Sequence, residues 1–518
     1  MKNSLMRKLL FRLITPIVKK LANRANFKKF NEDPALFFSS LKNPKYRFFG
    51  KIFFPVPKID AQVVSDEGAD IRAFITGRIQ AIINSDLFLL QKNILISGNG
   101  SESLLSMLKS LPDSFLDEHN LVWVINNVDS ESDKGRGIAS KFYMPWLMLN
   151  KDPWRWDEKR SFSVSRDDAA QVRDIDYLKE ACDNIKSAYP NIDGSYATLL
   201  LLETERYYTE IFTFLKPELI IVWNQFTFYN RIARALAQKH KIPVMFAENG
   251  NLPGTYNFDT VGEMGESLPA RNPEWLLEKP VSAGELKRAA EVLQYLRTSG
   301  INRKKQPFID KAALRSSLRA DRPVLFYAGQ YDLDSGIFPY TANSRARHSP
   351  SFSSSYEAML FLAELAKRNA WNLIFKPHPM SERFDRGESN IPANVIFVPK
   401  GNINEIVDLA DVVITILSTT AYVALIREKP VVMLGYIHLR GQGCTYEAFE
   451  RGDIEKTMQN AIENGYTPEQ REAFLRHTAR MCKYYLFNEN RQQKIPYGRP
   501  VAEFLEYLKM AMAGTAPY

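Results

Sequence analysis

Asn372-Leu373-Ile374-Phe375-Lys376-Pro377-His378-Pro379 is the stretch on which the reading of this chain turns. Its largely apolar start reads as a buried strand, and Pro377 and Pro379 then break it on either side of a histidine. A strand that ends in a rigid turn sets Lys376 and His378 at the carboxyl edge of a sheet, where open α/β sheets bind ligands. By itself the stretch reads equally well as a proline-fixed loop with a solvated lysine. Its neighbours decide between the two.

Strand and helix patterns alternate outward in both directions. Toward the C-terminus, a short helix over 404–410 precedes a buried strand over 411–417, and Ser418-Thr419-Thr420 opens a helix over 421–428. Hydroxyls at a strand-to-helix turn cap the helix and, with its backbone N–H groups, hold a phosphate. The strand over 430–434 ends at Gly435, and residues 456–518 read as a mostly helical tail able to pack back on the first half of the chain.

Toward the N-terminus, the strand over 324–328 delivers Gln330, Asp332, Asp334 and Ser335 to the same edge, and a Ser/Arg-rich loop with Arg345, Arg347 and His348 leads to a helix over 356–368. A polar, basic connector over 301–322 marks a domain boundary. Before it come a charged helix (284–299), a strand (217–224), a helix (229–240) and a strand (243–247), which runs into Glu248-Asn249-Gly250. A partly buried carboxylate at a strand end suits acid–base work near neutrality. The plainer reading of Glu248 is a glutamate that caps a helix or bonds a turn. Further back, strands at 93–97 and 121–125, helices at 70–84 and 104–111, and a loop-rich insertion over 141–165 with Trp146, Trp154 and Trp156 complete the pattern. Gly98-Asn99-Gly100 lacks the full GxGxxG spacing and reads as a tight βα turn.

At 518 residues the chain is long enough for two to four domains, and 45% apolar with 25% charged residues is ordinary for a globular protein. Cys182, Cys444 and Cys482 lie far apart with no CxxC pair, so no disulfide or metal framework is expected, which fits a reducing compartment. No apolar run reaches the roughly 18 residues of a membrane-spanning helix, and no export leader is expected.

The net charge of +9 is uneven: residues 1–30 carry nine basic and no acidic residues, which leaves 59 basic against 59 acidic ones elsewhere. A neutral body speaks against a general nucleic-acid binder. In the basic segment Leu5, Met6, Leu9, Leu10, Leu13, Ile14, Ile17, Val18 and Leu21 recur in threes and fours, an amphipathic helix with a basic face. It either docks on the chain's own surface or lies on an anionic membrane, and its basic excess favours the membrane.

The expected organisation is a basic amphipathic segment (1–45), an acceptor-side Rossmann-like domain (46–300), a linker (301–322), a nucleotide-sugar-binding Rossmann-like domain (323–490) and a helical tail (491–518). Strand ends would then meet across a cleft, Glu248 on one side and Gln330, Asp332, Asp334, Lys376, His378, Ser418, Thr419 and Thr420 on the other. Cation, histidine and hydroxyl turn suit a donor with a phosphate leaving group, and carboxylates opposite suit an oxocarbenium-like sugar carbon. That combination fits a glycosyltransferase of the two-Rossmann (GT-B) type.

Glu248-Asn249-Gly250-x-x-Pro253-Gly254-Thr255 with Asp259 and Gly262, Gln330-x-Asp332-x-Asp334-Ser335, His348-Ser349-Pro350, Lys376-Pro377-His378-Pro379 and Ser418-Thr419-Thr420 with Pro430-Val431 and Gly435 resemble the bacterial capsule polysaccharide synthesis family. The resemblance spans roughly residues 200–445, and the order of five motifs makes it specific. That family includes retaining β-Kdo transferases acting on CMP-Kdo. The resemblance implies a double displacement with an aspartate nucleophile, Asp332 in preference to Asp334, and Glu248 as acid/base. Gln330, Lys376, His378 and Ser418–Thr420 would hold the donor, with no cofactor and no metal. It also implies a nucleotide-sugar donor and a lipid-linked capsule or lipopolysaccharide acceptor, and with the basic segment over 1–30 the expected place is cytoplasmic, peripheral on the inner face of the inner membrane. The histidine–proline and Ser/Thr motifs are shared with sialyltransferase-like and teichoic-acid polymerase families, so another CMP- or CDP-activated donor (sialic acid, glycerol phosphate) and a non-catalytic glycan-binding assembly protein stand as alternatives. One departure is visible: Gly262-Glu263-Met264 stands where the family pattern leads one to expect Gly-Val-Asn.

Overall fold

A computed structural model describes residues 92–98, 104, 107–108, 110–125, 138–143, 164–189, 192–301, 306–381, 390–489 and 495–515. The basic segment over 1–30, the helix expected over 70–84 and Trp146, Trp154 and Trp156 lie outside these residues.

The first sheet is built from β1 (Lys92–Ser97), β2 (His119–Ile125), β3 (Ile138–Tyr143), β4 (Leu219–Trp223) and β5 (Val244–Asn249), all parallel, in the order β3-β2-β1-β4-β5. Ile94, Leu95 and Ile96 of β1 are fully buried, as a parallel strand covered on both faces must be. Covering helices include α1 (Asp113–Glu118), α2 (Arg166–Asp174), α3 (Asp176–Ala188), α4 (Gly194–Leu215) and α5 (Phe228–Lys239). Starts are set locally: Ser165 and Asp168 form a capping box at α2, and the Asp193 carboxylate accepts the N–H groups of Ser195 and Tyr196 at α4. Beyond β5 the chain turns back as an antiparallel hairpin strand, β6 (Thr255–Asp259).

The second sheet is wholly parallel: β7 (Val324–Ala328), β8 (Asn372–Lys376), β9 (Val395–Phe397), β10 (Val412–Thr415), β11 (Val431–Met433) and β12 (Tyr446–Glu447), in the order β9-β8-β7-β10-β11-β12. Both sheets therefore wind outward from their first strand, reverse, and wind out the other way. This is the doubly wound order, with a switch point between β1 and β4 and another between β7 and β10. Two Rossmann-like domains face a cleft, as expected.

The boundary between the domains is spread over several crossings. Helix α6 (Ala283–Ser299) starts at a Ser282–Glu285 capping box and buries Val292 and Leu296 in the core of the second sheet, although it precedes the connector. The connector itself carries a short helix, α7 (Lys311–Ser316), capped by Asp310. The second domain continues with α8 (Ala342–Arg347), α9 (Ser355–Arg368), α10 (Ile403–Leu409), α11 (Thr420–Ile426), α12 (Arg451–Asn464) and α13 (Pro468–Arg480). A π-helical turn (Met481–Tyr485) then returns the chain to the first sheet, where β13 (Leu486–Asn488) pairs antiparallel with β6. Helix α14 (Val501–Met512) buries Phe504, Tyr507, Leu508 and Ala511 in the first core. Among the described residues no helix is long and apolar enough to cross a membrane.

Candidate functional site

The carboxyl ends of β4, β5, β7, β8 and β10 converge on a cleft of about 510 Å³. Glu248, Gln330, Asp334, Lys376, His378, Ser418, Thr419 and Thr420 all line it. Asp332 does not.

On the first-domain wall, Glu248 lies one residue before the end of β5 and directly opposite Asn257 of β6. Asn257 Nδ2 donates to Glu248 Oε1 at 3.0 Å. The connecting turn is closed by Gly250 N–H to the Thr255 carbonyl at 2.7 Å. A Cβ on Gly250 would sit 2.1 Å from Thr255 Oγ1, so glycine is required there. Asn257 Nδ2 also donates to Asn251 Oδ1 at 3.2 Å, and Asn251 Nδ2 lies 3.1 Å from His438 Nδ1. An amide donor on Nδ1 places the histidine proton on Nε2, which lies 3.4 Å from the Tyr485 hydroxyl; that hydroxyl donates to Asp259 at 2.7 Å. Burial pushes His438 down to about 3, so the imidazole stays neutral. The carboxylate in the cleft thus rests on a polar chain that runs through both domains.

A second carboxyl on this wall is Glu263, which the motif reading passed over except as a departure from the family pattern. It is 3% exposed and accepts backbone N–H groups from Asn224 at 3.0 Å and Gln225 at 2.7 Å. Burial, and then the charge of Glu248, push Glu263 well above the usual carboxylate range. Asn224 (φ 61°) and Met264 (φ 53°) both adopt the left-handed conformation beside it, and both line the cleft. Strained backbone of this kind persists where surrounding bonds hold it.

On the opposite wall, Asp332–Asp334 is a single 3-10 turn. Its two carboxylates diverge in their partners. Asp332 accepts the Ser355 N–H through both oxygens, at 3.0 and 3.1 Å, at the start of α9. Asp334 lines the cleft. Gln330 presents a buried Oε1 with no partner among the described residues.

Lys376 is the last residue of β8, only 5% exposed. No carboxylate pairs with it among the described residues, and burial alone lowers its pKa. His378 Nδ1 accepts the Met380 N–H at 3.2 Å, so its other nitrogen carries the proton, and Tyr331 stacks on its ring at 5.8 Å. Ser418 Oγ donates to Thr420 Oγ1 at 3.1 Å and accepts the Thr420 N–H at 3.2 Å, whereas Thr419, the residue before α11, makes no side-chain cap.

His348-Ser349-Pro350 lies away from the cleft. His348 is buried 3.4 Å from Glu266, which also receives Arg234 at 2.9 Å and Asn343 at 2.8 Å. Burial would raise Glu266, but the His348 hydrogen bond and the Arg234 charge outweigh it and hold the carboxyl well below its usual range. The motif stitches the two domains together through Glu266.

One comparison coincides with this geometry. Residues 271–462 match the family of capsule polysaccharide biosynthesis proteins. The matched capsule-synthesis segment carries the whole second-domain wall of the cleft and stops short of Glu248. No curated protein matches the chain. Among solved structures, the β-Kdo 2,4-transferase KpsC of Thermosulfurimonas dismutans is 15% identical over 52% of this chain and 81% of its own, with a TM-score of 0.39. The β-Kdo 2,7-transferase KpsC of the same organism is 15% identical over 76% and 91%, with a TM-score of 0.36. The calicheamicin glycosyltransferase CalG4 is 12% identical over 82% and 100%, with a TM-score of 0.31. Scores below 0.5 leave the fold to be read from the two sheets themselves.

Proposed function

We propose that this protein is a glycosyltransferase that moves Kdo from CMP-Kdo to a lipid-linked capsule or lipopolysaccharide glycan with retention at the anomeric carbon. The observation that supports this reading most directly is Lys376. A buried ammonium with no carboxylate partner among the described residues is costly unless an anion completes it. A donor that carries both a phosphate and a sugar carboxylate supplies such an anion.

In the first half-reaction the Asp334 carboxylate attacks the anomeric carbon. The bond to the CMP phosphate oxygen breaks, and CMP leaves with the electron pair. Lys376, the His378 N–H and the Ser418–Thr420 hydroxyls take up the charge that develops on it. With a second phosphate pKa near 6, the departing group needs no proton first. In the second half-reaction an acceptor hydroxyl attacks the same carbon, Asp334 leaves, and Glu248 takes the hydroxyl proton. Two inversions give net retention. The nucleophile is Asp334 rather than Asp332, because the Asp332 carboxylate is engaged at the start of α9 while Asp334 faces the cleft.

The test is CMP release from CMP-Kdo with mass detection of the glycosylated acceptor, alongside thermal shifts with CMP, CDP, UDP and GDP. Stabilisation by CMP and release of CMP are expected. Stabilisation by UDP or GDP alone sinks the Kdo reading. The amphipathic segment over 1–30 would hold the enzyme at the inner face of the inner membrane. A chain starting near Phe30 should then lose flotation with anionic liposomes, and undiminished flotation would remove that role.

A further inference from the structure

We infer that Asn257 and His438 are positioning residues for the acceptor step. They hold the Glu248 carboxyl in one orientation and favour its ionised form, and His438 does so from the second domain. The inference rests on the reading of Glu248 as the base that takes the acceptor proton.

Glu248 and Asn257 are directly paired across the antiparallel hairpin of β5 and β6, so their side chains stand on one face. Asn257 is only 2% exposed, and its Nδ2 donates to Glu248 Oε1 at 3.0 Å and to Asn251 Oδ1 at 3.2 Å. Its own Oδ1 is buried with no partner among the described residues. An unpaired buried amide oxygen is costly and calls for an explanation. Turned over, the amide would set that oxygen against the Glu248 carboxylate and Asn251 Oδ1. The side chain gives up one hydrogen bond to keep an N–H on Glu248.

Asn251 passes the constraint across the cleft. It lies in the turn after β5, and its Nδ2 donates to His438 Nδ1, beyond β11, at 3.1 Å. Both residues are buried. Burial keeps the His438 imidazole neutral, so Nδ1 stays an acceptor, and the Tyr485 hydroxyl fixes the ring from its other nitrogen at 3.4 Å. The bond from Asn251 to His438 joins the two walls, so the setting of the carboxyl depends on both of them.

An N–H donated to a carboxylate favours its charged form. The acceptor step needs that form, because Glu248 takes the hydroxyl proton. Among the described residues, the other ionisable groups that feel the Glu248 charge are Glu263 after β6, Tyr422 of α11 and Tyr485 of the π-helical turn, all pushed upward by burial first. They are common to every protein compared below.

Full-length Asn257→Leu, close in volume but without the amide, tests the hold on Glu248, with Asn257→Ala in its place should the leucine not fold. His438→Ala and His438→Asn test the second-domain end. Two measurements are made: transfer against pH beside single-turnover donor cleavage, and infrared titration of isotope-labelled glutamate carboxyls, the band lost in Glu248→Gln being that of Glu248. In Asn257→Leu the acid limb of transfer and the Glu248 titration should both move up by about one pH unit. Below the limb, transfer should then fall about tenfold, while donor cleavage falls less. His438→Ala should shift both midpoints the same way by a smaller amount. His438→Asn keeps an acceptor beside Asn251 and should recover most of the loss. Variants shown to be folded by circular dichroism in which neither midpoint moves overturn the inference, even if their Tm is lower. If the wild type does not use CMP-Kdo, the transferase reading falls, and the titration still decides whether Asn257 holds Glu248. If CMP-Kdo is used and the titration does not move, the transferase reading stands and the positioning role falls.

Discussion

The two walls of the cleft share one backbone plan and carry opposite chemistry. Each is the carboxyl edge of a doubly wound sheet, with its switch point facing the other. The first edge presents Glu248 and Glu263 with Trp223; the second presents Lys376, His378 and three hydroxyl residues, with Asp334 as its carboxylate. Winding decides that something binds at these edges. The residues at and beyond each strand end decide what binds, because they line the cleft while the strands behind them are buried on both sides.

The sharpest break in this comparison is between the two aspartates of one turn. Asp334→Ala should reduce transfer by about 10⁴-fold or more, the scale seen when a nucleophile is removed. Asp332→Ala should instead act mainly on stability, costing about 1 kcal/mol through the lost bond at the start of α9. CMP release and thermal unfolding measured on both variants would falsify this division if the effects were exchanged.

Glu248→Gln should slow transfer to acceptor about 10³-fold, since the amide cannot take the hydroxyl proton. Single-turnover measurement of donor cleavage should be affected less, because Glu248 enters at the acceptor step. Equal loss in both steps would move Glu248 to the donor side. Lys376→Met should raise the apparent KM for CMP-Kdo about 10–100-fold, the worth of a hydrogen bond to a charged group, without lowering the Tm. A lower Tm with unchanged KM would make Lys376 a structural residue.

The smallest expected effect is on stability against pH, and it tests the stitching of the two walls. Burial lowers His348, and lowers His438 and His477 to about 3. In the unfolded chain each binds a proton near 6.5, so this contribution is whole above pH 6.5 and is lost as pH falls from 6.5 toward 3. Burial raises Asp259 and Glu263, whose contribution has the opposite sign: it is present below their unfolded values and is lost as pH rises through their folded ones. His438 and His477 stay neutral in the folded chain and bind protons on unfolding, so their contribution should show as a fall in stability from pH 7 to pH 5. Urea unfolding at pH 5, 6 and 7 measures it, and a flat profile would remove the histidines from the account.

Much of this was legible locally. Strands ending at Ala328, Lys376 and Trp223 were readable because a buried parallel strand needs an apolar run, and Pro377 and Pro379 mark where one stops. Gly250 announced the turn after Glu248 because only glycine fits against Thr255. Other features had no local signal. Leu486–Asn488 looks like the interior of a helical tail, yet it pairs with Asn257, Tyr256 and Thr255, more than 200 residues earlier. Residues 138–143, expected at the margin of a loop-rich insertion, form an edge strand because β2 offers them a partner. Helix α6 precedes the connector and still packs with the second domain, since its apolar stripe finds cover there.

The sequence by itself determined the kind of edge each strand end would present, because residue type and strand period act over a few residues. Tertiary structure alone decided which carboxylates line the cleft. Asp332 and Asp334 are two residues apart, and what separates them is the α9 terminus, whose Ser355 N–H bonds Asp332 from 23 residues later. Glu263 is held because the turn after β4 brings two N–H groups to it from 39 and 38 residues away. Side-chain direction at a site is set by what packs behind it, and that comes from distant parts of the chain.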